Sequence, residues 1–241
     1  MKKGFLFLLI AFLSYQSNAQ ILISLLFGDK LNSERVEFGL EGGMNFSKIE
    51  SFESKKYLPT LNLGLYFNYQ LKKSWYLYTG VLVKSNLGTN KLSSSDLALL
   101  KTTVYNAEGT YSQKIQYFLV PLLAKYQFKN NIYLEAGPQA GLRTKSWVEF
   151  RSDEDDTSAK IKNFNSDNIH RVDFGLVGGF GYKFKLKSGQ QGMSIGVKYY
   201  YGLLDVYKDI AGSNNSSFFL KVNIPVGAGK KNKSTKTEEI K

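Results

Sequence analysis

Three observations predict an all-β chain, an eight-stranded antiparallel up-and-down transmembrane β-barrel. Apolar and polar residues alternate with a period of two over eight segments, the repeat of a strand whose two faces meet different surroundings. The connections between segments alternate between short and long, as they do in outer-membrane barrels. Glycines gather on the polar face of these segments, which sets that face inward.

Composition narrows the alternatives. The 241 residues carry 32 Lys+Arg against 20 Asp+Glu, a formal net charge of +12, with one His and no Cys. Absence of cysteine excludes a disulfide framework, thiolate-held zinc or iron–sulfur sites and a lipid-modified N-terminal cysteine. One histidine excludes a multi-histidine metal centre, and no cofactor or metal is expected. After the first residues no apolar run approaches the ~20 residues of a membrane-spanning helix. A mean hydropathy of −0.25 suggests a soluble protein, and the net charge suggests nucleic acid. The order of the residues speaks against both.

The elements follow in chain order. Met1-Lys2-Lys3 is a basic start, Gly4 to Tyr15 an apolar core and Ser17-Asn18-Ala19 a small-residue cleavage site. Residues 1–19 therefore read as a signal peptide cut before Gln20. Residues 20–33 hold the apolar run Ile21 to Phe27, too short to cross a bilayer as a helix. It reads either as a short interfacial or plugging helix ended by Gly28 or as an extended lead-in. The barrel is expected over residues 34–226.

In its first segment Val36, Phe38, Leu40, Met44 and Phe46 oppose Glu37, Gly39, Glu41, Gly43 and Asn45. The second sets Leu61, Leu63, Leu65 and Phe67 against Asn62, Gly64, Tyr66 and Asn68, and the third Trp75, Leu77, Val81 and Val83 against Tyr76, Tyr78, Gly80 and Lys84. In the fourth Phe118, Val120 and Leu122 oppose Tyr117, Pro121 and Lys125; in the fifth Leu134, Ala136, Pro138 and Leu142 oppose Glu135, Gly137, Gln139 and Arg143. The sixth sets Val172, Phe174, Leu176 and Phe180 against Asp173, Gly175, Gly179, Gly181 and Lys183. Ile195, Val197 and Tyr199 oppose Gly196, Lys198 and Tyr200 in the seventh, and Phe218, Leu220 and Val222 oppose Phe219, Lys221 and Asn223 in the last. Short turns are expected at 72–74, 129–131 and about 187–191, and long loops at about 47–58, 88–112, 148–167 and 205–216.

Alternation alone fits a soluble barrel with its apolar face inward. Glycine placement separates the two cases. An eight-stranded barrel has an interior barely wide enough for its own side chains, so small residues belong there, whereas on a water-facing surface they only weaken strands. The apolar face then meets lipid. The inward charges are Glu37, Glu41, Lys125, Glu135, Arg143, Asp173, Lys183, Lys198 and Lys221. A three-residue turn centred on Asn130 pairs residues whose numbers sum to 260, placing Lys125 opposite Glu135. If the outer strand ends align near Lys145 and Arg171, Arg143 faces Asp173. A buried charge without its partner costs several kcal/mol, so a lumen plugged by ion pairs and aromatics is expected, a substrate path being the alternative. The short-turn end carries Lys72, Lys73, Lys129, Lys185 and Lys187, and the tail adds Lys230, Lys231 and Lys233. A basic rim beside phospholipid headgroups accounts for them, and no nucleic-acid partner is needed.

The stretch QYFLVPLLAKYQFKNNIYLEAGPQAG (116–141) is similar to the PorT-like outer-membrane β-barrel family of Bacteroidetes-type, Gram-negative bacteria. That family has a Tyr-x-Glu-x-Pro-Leu-x-x-Lys-Tyr strand followed by an Ala-Gly-Pro strand, matched here by Tyr117, Pro121, Leu122, Lys125, Tyr126, Ala136, Gly137 and Pro138. DFGLVGGFGY (173–182) and GVKYYYGLLDV (196–206) resemble its later strands. The resemblance implies an outer-membrane barrel, and the family's name points to an accessory part of a protein-secretion or gliding apparatus. Two departures stand out. Leu119 replaces the acidic residue before the proline, leaving Lys125 to rely on Glu135, and a lysine-rich tail follows Val226. The assembly signal is then internal, within Phe218 to Val226. Pro121 and Pro138, which cannot donate to a ladder, are expected to lie diagonally and form one kink, unless the fourth strand starts later.

Little else carries chemistry. His170 has Ser166, Asp167 and Asp173 near in sequence, the ingredients of a lipid-active enzyme, but lacks a His-x-Ser spacing. The acidic cluster Asp153, Glu154, Asp155 and Asp156 lacks the ligand spacing of a calcium loop and reads as a solvated loop. Glycines 175, 178, 179 and 181 are no nucleotide fingerprint, since no helix follows. Ser95 or Asp96 is expected to cap one helical turn over Leu97–Leu100, and residues 227–241 read as a disordered basic periplasmic tail. The expectation is a monomeric, non-enzymatic outer-membrane barrel with both termini periplasmic and its specificity in the loops. Its partners would be outer-membrane lipids, lipopolysaccharide and envelope or secretion-system proteins.

Overall fold

The structure, a computed structural model, describes Ser33 and residues 35–154, 157–184 and 192–226, with backbone alone at 153, 154, 157 and 158. The expected signal peptide, residues 20–32, Lys185, Lys187, Asp155, Asp156 and the tail from 227 lie outside the described residues. The strands are β1 (Val36–Ile49), β2 (Lys56–Gln70), β3 (Trp75–Asn90), β4 (Thr110–Gln127), β5 (Ile132–Glu154), β6 (Thr157–Phe164), β7 (Val172–Lys183), β8 (Ser194–Asp205) and β9 (Asn214–Pro225). Every pairing is antiparallel. Eight of the strands close a ring in the order β1-β2-β3-β4-β5-β7-β8-β9, with β9 returning to β1. The stretch 148–167, expected as a loop, is mostly a hairpin. β5 runs past the ring and β6 folds back on it from Glu154↔Thr157 to Trp147↔Phe164.

Local chemistry fixes the register. In the β4–β5 turn the Asn131 N–H donates to the Phe128 carbonyl at 3.0 Å, and Asn131 adopts φ +68°, a left-handed conformation asparagine tolerates. Pairs summing to 260 follow, from Lys125↔Glu135 up to Tyr117↔Arg143. The ladder is interrupted between Pro121↔Gln139 and Ala124↔Ala136, where both prolines sit, and the Thr79 hydroxyl donates to the Pro121 carbonyl at 2.9 Å. β4 begins at Thr110, before the residue drawn from sequence. In β3 an irregularity between Leu82↔Leu119 and Ser85↔Tyr117 adds one residue and reverses the phase. Ser85, Leu87 and Thr89 are buried above it, and Lys84, expected inward, is exposed instead.

The two faces differ as the alternation requires. Leu61, Val120, Leu122, Leu134, Leu176 and Phe180 are exposed, while Glu41, Asn45, Lys125, Glu135, Lys198 and Lys221 are buried. Large apolar side chains outside and charges inside are the arrangement of a barrel in lipid. Aromatic contacts rim its tight-turn end, with Trp75 5.0 Å from Tyr126 and Tyr182 5.2 Å from Phe184 between ring centroids. The glycines make interior room. A Cβ on Gly181 or Gly196 would stand 2.3 Å from the Tyr133 hydroxyl, and one on Gly39 2.6 Å from the Tyr66 ring.

The loop end is closed by an apolar cluster. Phe52 from the first loop, Leu92 and Leu97 from the second, and Val206 and Tyr207 from the fourth pack with Ile49, Leu87, Ile115, Val148, Phe150 and Ile169. The second loop contains helix α1 (Ser94–Leu99), capped by Ser93 rather than Ser95 or Asp96. Ser93 Oγ accepts from the Asp96 N–H at 3.1 Å and the Asp96 carboxylate accepts from the Ser93 N–H at 3.0 Å, a capping box. The same carboxylate accepts from the N–H groups of Glu53 and Ser54 at 2.8 and 3.1 Å. One buried side chain thus ties two loops together.

Candidate functional site: the filled lumen and its cap

The inward charges form cross-braces. Nearest the tight turns, Glu37 is ion-paired with Lys183 and accepts from the Tyr66 hydroxyl at 2.9 Å. Higher, Glu41 meets Lys198 at 2.8 Å and accepts a hydrogen bond from Tyr78, whose oxygen in turn accepts from Asn223 at 2.8 Å. Lys221 lies 2.5 Å from Glu135, an electrostatic contact whose atoms are not aligned for a hydrogen bond. None of these three pairs joins adjacent strands: they run β1 to β7, β1 to β8 and β5 to β9.

The two pairings expected from sequence come out differently. Lys125 and Glu135 are opposite in register, but the carboxylate turns across the lumen to Lys221. The Lys125 amine lies 3.8 Å from the centroid of the Tyr133 ring, a cation–π contact that partly replaces a counter-charge. Arg143 does not face Asp173. The β5–β7 register pairs Gly141 with Asp173, two residues from the expected alignment, so the Arg143 guanidinium donates to the carbonyls of His170 and Ile169 at 3.2 and 3.3 Å. Asp173 instead accepts from Asn215 at 2.9 Å.

Uncharged polar groups fill the lumen above the charges. Asn45 donates to Asn62 at 2.8 Å and Ser85 to the same oxygen at 2.9 Å. Near the cap Gln113 and Asn165 bond each other and Ser146. In the fourth loop, burial pushes the Tyr207 hydroxyl well above its ordinary value, so it stays neutral. From one end of the barrel to the other, the interior passes from ion pairs to amides and hydroxyls to hydrocarbon.

The exposed His170 makes no hydrogen bond to Ser166, Asp167 or Asp173 among the described residues, and these hold no group of three or more His, Cys, Asp or Glu placed for a metal. The side chains of the acidic cluster 153–156 lie outside the description. A pocket of about 220 Å³ opens in the cap, lined by Leu99, Leu100, Lys101, Asn165, Asn168, Tyr207, Asp209 and Ile210. Sequence reasoning missed the cap residues. Apart from the helical turn expected over Leu97–Leu100, their trace was a scatter of isolated apolar residues in segments otherwise read as loops.

Comparison with known proteins gives the family. A family model described as outer membrane protein beta-barrel domain matches residues 15–208. Among solved structures, Ail of Yersinia pestis is similar at 14% identity and a TM-score of 0.39, over 78% of this chain and 96% of that one. Neisserial surface protein A is similar at 9% identity and 0.36, over 78% and 96%, and OprG of Pseudomonas aeruginosa at 13% and 0.34, over 81% and 96%. No curated protein sequence matches the chain. With the family model spanning well over half of its length, the chain belongs to the outer membrane protein beta-barrel domain family and is an outer-membrane β-barrel protein.

Proposed function

We propose that this barrel is a monomeric, non-enzymatic structural or interaction protein of the bacterial outer membrane, working through its capped loop end. In this reading residues 1–19 are removed on export, residues 20–33 and 227–241 lie in the periplasm, and the cap faces outward. Its partners are membrane lipids, lipopolysaccharide and envelope proteins, without nucleic acid or cofactor. The observation that carries the reading is the double obstruction of the lumen, by the braces Glu37–Lys183, Glu41–Lys198 and Glu135–Lys221 and by the apolar cap. Planar-bilayer recording of the refolded barrel tests it. No steady conductance is expected, and a large steady one would overturn the closed lumen. A lipid-active enzyme is the competing chemistry; it would require a deacylase activity that His170→Ala abolishes, and none is expected.

A second reading makes the barrel an accessory component of a protein-secretion or gliding apparatus. It rests on the PorT-like motif, whose Pro121 and Pro138 flank the interrupted β4–β5 ladder and whose Lys125 lies in the lumen. Cross-linking in cells followed by identification of captured envelope proteins tests it. Recovery of secretion-machinery components is the expected result, and recovery of abundant outer-membrane proteins alone would count against it.

A further inference from the structure

We propose that the outward face of the β4–β5–β6 sheet, where it rises above the apolar belt, docks the phosphates of a phosphorylated glycolipid in the surrounding outer leaflet. The inference rests on the orientation proposed above, with the loop end outward.

Residue order along β4 marks the level. Leu122, Val120 and Phe118 are exposed apolar residues of the outer face, and Gln116 and Lys114 continue that face upward. Phe118 and Lys114 are four residues apart, roughly 13 Å along a strand. Over this distance the outer surface changes from hydrocarbon to ammonium.

The hairpin beside it repeats the change. The register sets Trp147 against both Lys114 and Phe164, Glu149 against Lys162, and Arg151 against Lys160. These residues share one face, while Val148 and Phe150 turn the other way into the cap. Trp147 and Phe164 pair at 6.4 Å between centroids, and Phe164 is 68% exposed. Phe164, exposed beside the buried Trp147, puts an aromatic ring at the edge of the belt, the boundary between acyl chains and headgroups. Around it stand Lys145, two residues nearer the belt, Lys114, level with Trp147, and Arg151, Lys160 and Lys162 above, with Glu149 the one acid among the described side chains of this face.

Glu149 is buried and holds the surrounding cations in place. Lys114, Arg151 and Lys160 lie 2.7, 3.0 and 3.5 Å from it. Lys162 sits 4.8 Å over the Trp147 ring, and Lys145 is exposed with no carboxylate contact among the described residues. Among the described side chains of this face, one carboxylate stands among five cations, a local surplus of positive charge. Ammonium and guanidinium groups side by side at headgroup height are suited to phosphate oxygens, and the exposed Phe164 ring among them is suited to the attached acyl chains. That combination favours a lipid over a soluble anion.

The test uses the full-length barrel in detergent, where lipid sidedness plays no part. Binding of bis-phosphorylated lipid A is measured against the same lipid with both phosphates removed. The variant K145Q/K162Q spares the Glu149 pairs, and a heat-dependent gel shift verifies that it is folded. Neutralising the two lysines is expected to weaken phosphorylated lipid A roughly thirty-fold, two charges at about 1 kcal/mol each, and to leave the dephosphorylated lipid unchanged. Equal binding of both lipids by the unmodified protein would overturn the proposal. So would unchanged affinity in the folded variant, or complete displacement by millimolar inorganic phosphate, which would indicate a plain anion site. The orientation is read separately: Thr103→Cys, the sole cysteine in the chain, should react with an impermeant maleimide on intact cells. Binding without labelling would overturn the orientation and leave the phosphate site standing as chemistry.

Discussion

Lys198 and Glu41 meet at 2.8 Å with both side chains shielded from water. Removing one partner of such a pair leaves an uncompensated charge, which typically costs about 3–5 kcal/mol. Lys198→Met should therefore lower the urea midpoint of the refolded barrel sharply, and Glu41→Leu added to it should recover part of the loss, a coupling that a double-mutant cycle reads directly. Gly196 offers a steric counterpart. An alanine there would press on the Tyr133 hydroxyl at 2.3 Å, so Gly196→Ala should destabilise by about 1–3 kcal/mol as overpacking does. The increment should shrink in a Tyr133→Leu background. The inward position of these residues was legible in sequence, because period two assigns faces without knowing the fold. Their partners were not. Turn arithmetic reaches only adjacent strands, so it placed Glu135 beside Lys125, whereas Lys221 arrives from across the lumen once the ring has closed.

Elements show the same division. The β4–β5 register could be read from one turn, since three residues around Asn130 fix the pair sum from Lys125↔Glu135 to Tyr117↔Arg143. The β3 irregularity could not, because nothing in Val83-Lys84-Ser85 announces an extra residue, and it turned Lys84 outward. The cap was hidden for another reason: its core is assembled from several loops, each contributing too few apolar residues to form a pattern alone. Asp96 is the residue on which that assembly turns. Its carboxylate accepts from the N–H groups of Glu53, Ser54 and Ser93, so Asp96→Ala leaves three donors unsatisfied. Tryptic cleavage after Lys101 should accelerate at least ten-fold, with the barrel strands remaining protected. Ser93→Ala removes one cap hydrogen bond, about 1 kcal/mol, and should give a smaller effect. Glu50 adds a pH response at the β1–β9 edge. Burial raises its pKa, but hydrogen bonds from Lys48 and Ser216 outweigh this and hold it below 4.5. A depressed carboxylate stabilises above its unfolded value and loses that contribution as pH falls through the folded one. Hydrogen exchange of the Glu50 amide, bonded to the Asn214 carbonyl at 3.0 Å, should therefore quicken relative to mid-barrel amides on acidification to below the ordinary glutamate range.

At the scale of the whole molecule, ring closure leaves no unpaired sheet edge in the membrane. The folded form should resist detergent at room temperature, run as a compact band when unheated and shift on boiling, and fractionate with the outer membrane. Recovery from the soluble periplasm would contradict it. The composition that first suggested a soluble, nucleic-acid-binding chain is accounted for by this arrangement, since every lipid-facing residue is averaged with a polar one pointing into the lumen. The three braces also have a direction in the chain. Their carboxylates, Glu37, Glu41 and Glu135, all belong to β1 and β5, and their ammonium groups, Lys183, Lys198 and Lys221, all belong to β7, β8 and β9. The polypeptide thus supplies its acids first and its bases last. Counting Lys125 and Asp173 as well, the inward charge of the early strands is still net negative and that of the late strands net positive, so attraction between the halves should assist closure of β9 on β1. Two fragments divided in the β5–β6 hairpin should recombine into a barrel, faster at low ionic strength than at high.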